Sequence, residues 1–91
     1  MNEPIARRYV VTGRVQGVGY RRFAQQAAGE CGVSGWARNL DDGSVEAFVI
    51  GTASQVAAMA GMLRRGPAWA DVRTVLEEEA AMLELKGFRI R

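Results

Sequence analysis

The sequence pattern changes from that of a strand to that of a helix within residues 8–23, which read RYVVTGRVQGVGYRRF. Alternation of side chains over residues 8–15 predicts a half-buried strand. A loop with two glycines follows at residues 16–19. From about residue 22 to residue 31 the apolar spacing becomes that of a helix, which we expect to end at Gly32.

The remaining segments extend this order to β-α-β-β-α-β. The pattern predicts strands at residues 34–39, 44–50 and 71–77, with a hairpin turn at Asp42-Gly43 and a short final strand around Phe88 and Ile90. It also predicts a helix from a Thr52/Gln55 capping box to Gly66-Pro67, with one apolar face made of Val56, Met59, Ala60 and Leu63. Residues 78–86 contain helix formers but no defined face. Right-handed crossovers then favour an α+β ferredoxin-like sandwich, an antiparallel sheet with both helices on one face.

The size of the chain limits it to one core. It has 91 residues, of which 48% are hydrophobic and 24% charged, a balance typical of a globular domain. We expect a single domain over residues 1–91, with an ordered core from about residue 8 and a tail at residues 1–6. No apolar run indicates a secretory signal or a membrane span, so a soluble, cytoplasmic protein that does not contact a membrane is expected.

The absence of histidine excludes several classes of enzyme. There is no histidine and only one cysteine, Cys31, in the sequence. A Ser-His-Asp triad, a Cys-His dyad, a His-ligated metal and an intrachain disulfide are therefore impossible. We expect Cys31 to be a small buried residue of the first helix.

Positive charge is concentrated in the N-terminal part of the chain. Residues 1–38 contain six arginines against two glutamates, whereas residues 39–91 contain six basic and eight acidic residues. Arginine supplies eleven of the twelve cations, and its guanidinium matches phosphate or carboxylate better than an ammonium does. This distribution indicates an anionic ligand for the N-terminal part.

The glycine loop before the first helix has the composition of an anion site. Small residues let main-chain N–H groups turn inward together beside a helix N-terminus, and Arg21 follows at once. The loop lacks the Gly-Lys-Ser/Thr ending of a Walker A motif. From the loop alone, a glycine-rich turn with solvated arginines is an equal alternative.

A second candidate residue is Asn39, which precedes the predicted hairpin. Its amide could hold a water molecule beside a bound anion. Asparagine is also a common turn former, and without further information that simpler role is the favoured one. Trp36, in the same strand, is expected to pack in the core or at its rim.

These segments together resemble the acylphosphatase family, and the resemblance extends from about residue 8 to residue 91. It rests on the following segments: residues 13–21 (GRVQGVGYR), 35–39 (GWARN), 42–46 (DGSVE), Gly66-Pro67, 70–72 (ADV) and 88–90 (FRI). The family implies the same ferredoxin-like sandwich and a hydrolase that cleaves the carboxyl–phosphate bond of acyl phosphates.

The resemblance also implies site residues. The family's phosphate-binding arginine corresponds to Arg21 and its water-orienting asparagine to Asn39. The main-chain cradle corresponds to Gln16, Gly17, Val18, Gly19 and Tyr20. An acyl phosphate is then the substrate and inorganic phosphate a product, with no metal, cofactor or nucleic acid required, and a monomer is expected.

The chemistry fits a chain without histidine. The leaving group is a carboxylate whose conjugate acid has a pKa of about 4, so no general acid is needed. Two alternatives stay open from the sequence. One is RNA binding through Phe48 on the open sheet face, which the missing RNA-binding signature disfavours. The other is an anion-sensing domain that binds phosphate without turnover.

Overall fold

Five strands and two helices make up the part of the chain that the computed structural model describes, residues 3–91. They are, in order, β1 (Ile5–Arg14), α1 (Tyr20–Cys31), β2 (Ser34–Asn39), β3 (Val45–Gly51), α2 (Ala53–Arg65), β4 (Asp71–Glu79) and β5 (Phe88–Ile90). Within these residues no helix is long and apolar enough to cross a membrane.

The sheet has the strand order β4-β1-β3-β2-β5. Neighbouring strands are antiparallel, except that β5 pairs in parallel with β2. Both helices pack on one face of the sheet and enclose the main core with it. The expected ferredoxin-like sandwich is therefore confirmed, with the correction that the sheet is mixed because β5 joins its edge.

The first strand begins earlier than its alternation predicted. It starts at Ile5, which is opposite Gly51, so Ile5 and Ala6 belong to the sheet rather than to an N-terminal tail. Ala6 is only 3% exposed. The strand extends beyond the alternating residues because its first residues pair with β3. The alternation within β1 carries no information on the length of β3, so the sequence alone could not predict this extension. The rest of the expected tail, Met1 and Asn2, lies outside the described residues.

The helix boundaries follow the capping signals closely. Gly32 ends α1 in the left-handed conformation, and Thr52 and Gln55 form the complete capping box that begins α2. The predicted apolar face of α2 is the buried one, and it consists of Val56, Met59, Ala60 and Leu63. By contrast, α1 begins at Tyr20, earlier than predicted, because the Arg21-Arg22 pair interrupts its apolar pattern.

Strand β3 is buried on both faces. Its helix-facing side chains join the main core, while Phe48 and Ile50 form a second cluster with Ala6 on the open face. The segment after β4 covers this second cluster through Ala80 and Leu85. Residues 78–86, for which the sequence predicted no defined structure, lengthen β4 to Glu79 and then lack regular structure as far as β5.

Candidate functional site

A cleft of about 190 Å³ opens at the end of the sheet where β1 leads into α1. The turn between β1 and α1, the start of α1, the end of β2 and the C-terminal strand β5 all meet there. The lining residues are Val15, Gly17, Gly19, Tyr20, Arg21, Arg22, Asn39 and Ile90. The glycine turn with Arg21, and Asn39, which the sequence analysis singled out as two separate candidates, therefore share one cleft.

The two glycines of the turn are required by its backbone. Gly17 has a φ of 75° and Gly19 a φ of 80°, both in the left-handed region. A Cβ atom at either position would meet nothing within 4 Å, so steric room is not the reason for glycine. The reason is the backbone conformation itself, which other L-residues adopt only at a cost.

The N-terminus of α1 has no capping side chain among the described residues. Gly19 is the N-cap, so no side chain caps the helix, and the first turn contains no acidic residue. The main-chain N–H groups of residues 17–22 donate no hydrogen bond of ordinary length and angle to other described residues. These unpaired donors and the positive end of the helix dipole make this a favourable place for an anion.

Arg21 is held beside this N-terminus by Arg91, the residue that follows β5. One of its terminal guanidinium nitrogens donates to the main-chain oxygen of Arg91, 2.8 Å away. The side chain is half-buried, whereas the neighbouring Arg22 is exposed. The contact uses one of five N–H donors, so the remaining donors are available for a ligand in the cleft.

Asn39 is the last residue of β2, and its side chain is not engaged in a turn. Along β2 it shares the helix side of the sheet with Ala37, which is fully buried in the main core. No hydrogen bond within residues 3–91 uses its side chain. The turn that follows is fixed instead by Asp42, whose carboxylate accepts from the Ser44 main-chain N–H at 2.9 Å. The simpler role that the sequence favoured for Asn39, that of a turn former, thus falls to Asp42.

Tyr20 anchors the cradle to the second helix. Its hydroxyl donates to the main-chain oxygen of Leu63 at 2.6 Å, and burial raises the pKa of this hydroxyl. The sequence analysis assigned only the main chain of Tyr20 to the site. Its side chain, and the contribution of Ile90 and Arg91, depend on tertiary contacts that no local pattern contains.

The lining of the cleft suits an anion. Among the described residues no group of three or more His, Cys, Asp and Glu side chains is arranged to hold a metal ion. The lining supplies main-chain donors, a guanidinium and one carboxamide. Such a set can bind a phosphate group and orient a neutral water molecule beside it.

The RNA-binding alternative depended on an exposed Phe48 on the open face of the sheet. Phe48 does lie on this face, but it is only 5% exposed and stacks against Trp36, with ring centroids 5.7 Å apart. The guanidinium groups of Arg38 and Arg91 lie 5.4 and 4.7 Å from the centre of the Trp36 ring. Trp36 therefore packs at the rim, as the sequence analysis expected.

Comparison with known proteins gives one consistent result. The sequence model of the acylphosphatase family matches residues 7–90. A curated acylphosphatase of Solibacter usitatus is 58% identical over 86 residues, which cover 94% of this chain and 90% of that protein. The solved acylphosphatase of Coxiella burnetii has a TM-score of 0.93 at 32% identity, covering 99% of this chain and 94% of that one. The acylphosphatase of Bacillus subtilis has a TM-score of 0.91 at 33% identity, covering 96% and 98%.

Proposed function

This chain belongs to the acylphosphatase family, whose reaction is the hydrolysis of acyl phosphates, and from that membership we propose that the phosphate group binds between the turn of residues 16–20 and Arg21. The observation that carries the proposal is the shared cleft of Gly17, Gly19, Arg21 and Asn39. We assign phosphate binding to the main-chain N–H groups of the turn and to the Arg21 guanidinium.

Charge stabilisation is the main contribution of these groups. Phosphoryl transfer passes through a loose transition state with negative charge on the equatorial oxygens, so placement and a fixed positive field supply most of the catalysis. The turn is fixed by two left-handed glycines and by the buried Tyr20 hydroxyl. Arg21 is fixed by Arg91. Donors held in this way need little reorganisation as the reaction proceeds.

We assign to Asn39 the orientation of the attacking water molecule. Its carboxamide has both a donor and an acceptor, and neither is used within the described residues. In the proposed reaction the water oxygen forms a bond to phosphorus as the bond between phosphorus and the carboxylate oxygen breaks. The carboxylate leaves without a proton, and the phosphate oxygens accept the proton that the water loses.

The wider setting of the reaction is also a proposal. We assign the activity to a single monomeric domain in the cytoplasm, acting on a small acyl phosphate without metal, nucleic acid or membrane. The family match over residues 7–90 supports a single domain. The carboxylate leaving group supports a reaction without a metal, because its departure needs no Lewis acid.

Hydrolysis of benzoyl phosphate, with inorganic phosphate as a competitor, tests the proposal. We expect turnover by the natural chain, competitive inhibition by phosphate, and a loss of about 10²-fold or more in kcat/KM on Arg21→Ala. Arg73→Ala, an exposed residue of β4, removes the same charge away from the cleft and is expected to leave kcat/KM unchanged.

Two results would contradict this scheme. Near-natural activity of Arg21→Ala would remove the proposed role of the guanidinium. Phosphate binding by the natural chain with no detectable hydrolysis would instead indicate the anion-sensing domain that the sequence left open.

A further inference from the structure

The side chain of Gln16 makes a contact that the proposed mechanism does not use. Its Nε2 atom donates to two main-chain oxygens, those of Leu40 at 2.8 Å and Ser44 at 2.9 Å. Both hydrogen atoms of the amide are therefore engaged, which fixes the orientation of the carboxamide. Gln16 is half-buried and begins the turn that contains Gly17 and Gly19.

The two acceptors belong to a rigid structure, the hairpin of residues 40–44. The Leu40 N–H donates to the Ser44 oxygen at 2.8 Å, and the Gly43 N–H donates to the Leu40 oxygen at 3.2 Å. Asp42 accepts from both the main-chain N–H and the hydroxyl of Ser44. Ser44 itself is only 3% exposed. Gln16 therefore binds to main-chain oxygens whose positions are already fixed by the hydrogen bonds of the hairpin.

The contact joins the two halves of the candidate site. Gln16 is the first residue of the proposed phosphate cradle, and Leu40 directly follows Asn39. Among the described residues these two hydrogen bonds are the only ones between the turn of residues 16–19 and the hairpin. The pairing of β1 and β2 with β3 brings the two strand ends together, and the Gln16 side chain adds the direct link from the turn to the hairpin.

We propose that Gln16 is a positioning residue, whose side chain sets the distance and angle between the bound phosphate and the water held by Asn39. This inference rests on the proposed function. Misplacement of reacting groups by about 1 Å can lower a rate by about 10²-fold, so such a contact has a large kinetic effect. It does not contribute to phosphate affinity, because the cradle donors are main-chain groups of the turn itself.

The chemistry of the position requires glutamine. Asparagine is one methylene shorter and does not reach both oxygens from the same backbone position. Ionised glutamate has no donor and brings a carboxylate against two carbonyl oxygens. Leucine has a similar size but cannot donate at all.

Gln16→Leu is the direct test, with Gln25→Leu as its matched control. Gln25 also donates from Nε2 to a distant main-chain oxygen, that of Phe88 at 3.0 Å, but from the exposed side of α1. Three quantities are measured for each variant at a temperature well below unfolding: kcat for benzoyl phosphate, the inhibition constant of inorganic phosphate, and the free energy of unfolding in urea.

We expect Gln16→Leu to lower kcat by about tenfold or more while the inhibition constant changes by less than about twofold. Gln25→Leu is expected to leave both kinetic quantities unchanged. Gln16→Asn keeps a polar side chain and is expected to show the same split, which gives a second reading should the leucine variant fail to fold.

Three outcomes separate the possibilities. If both Gln16 variants lose stability but retain the natural kcat, the contact is structural and the inference is wrong. If the inhibition constant rises as much as kcat falls, Gln16 acts on the cradle and not on the alignment with Asn39. Failure of the proposed function would be seen in different measurements: the natural chain would be inactive, or the Arg21→Ala variant would be active.

Discussion

The carboxamide of Asn39 is exposed at the edge of the cleft and has no partner within residues 3–91. Asn39→Ala is therefore expected to leave folding almost unchanged, since no hydrogen bond of the described chain is lost. It should lower kcat while the inhibition constant of phosphate stays close to natural, because the proposed role of the residue is to orient water and not to hold the anion. Steady-state kinetics with phosphate inhibition measures both. A collapse of phosphate binding would make Asn39 a ligand instead.

The left-handed glycines give a second prediction for single residues. Gly17→Ala is expected to lower the free energy of unfolding by about 1–2 kcal/mol and to weaken phosphate binding, because its φ of 75° is unfavourable for alanine. Gly29→Ala lies in the middle of α1 with open space around it, and should raise stability by about 0.5–1 kcal/mol. Urea denaturation compares them. Equal effects of the two substitutions would show that the turn is not conformationally restricted.

The sequence could indicate the site residues but not their contacts. Arg21, Asn39 and the glycine turn each have a chemical signature in the sequence, and family resemblance joined them. The side chains of Arg21, Gln16 and Tyr20 donate to main-chain oxygens far away in the sequence, which belong to Arg91, Leu40 and Leu63 respectively. Any residue presents a main-chain oxygen, so no residue type marks such a partner in advance.

A buried carboxylate links the central strands on the open face of the sheet. Glu46 of β3 is only 4% exposed and accepts from Arg8 of β1 and from Arg38 of β2, the latter at 2.6 Å. Burial acts to raise the pKa of Glu46, but the hydrogen bonds from the two arginines outweigh it and hold this pKa below its ordinary value of 4.5. The ionised form is therefore the one that stabilises the sheet.

The direction of this shift predicts how stability depends on pH. Because the pKa is lower in the folded state, the stabilisation is complete above about pH 4.5 and is lost as the pH falls through the folded value. Glu46→Gln is expected to be less stable at pH 7 and to lose less stability than the natural chain between pH 5 and 3. Urea denaturation at pH 7, 5 and 3 measures this, with Glu79→Gln as control, because Glu79 is exposed and forms no ion pair among the described residues. Identical pH dependence in the natural chain and Glu46→Gln would rule the network out.

Helices were easier to predict than the pairing of strands. The capping box and the four buried residues of α2 are local features, and the structure confirms both. The pairing of β5 with β2 is not local: β5 lies in parallel at the sheet edge, Trp36 opposite Arg89. Its alternation predicted a strand but could not tell which edge would receive it.

Across the whole molecule, no side chain has an ordinary pKa between about 5 and 7. The chain has no histidine. Hydrogen bonds from Ser44 lower the pKa of Asp42, while burial and Glu30 raise the pKa of Cys31 above 9.0. We therefore expect kcat to show no enzyme-derived step between about pH 5 and 7, once titration of the substrate has been measured separately. A bell-shaped profile of enzymatic origin in that range would require a base not assigned here.

The central claim is that a phosphate group binds to main-chain donors of the turn together with Arg21. A titration of the ¹⁵N-labelled protein with inorganic phosphate, followed by NMR, tests it most directly. The account predicts saturable shifts of the N–H signals of residues 17–20 and of the Arg21 side chain, with one dissociation constant equal to the kinetic inhibition constant. Unchanged signals in the turn at phosphate concentrations that inhibit hydrolysis would contradict it.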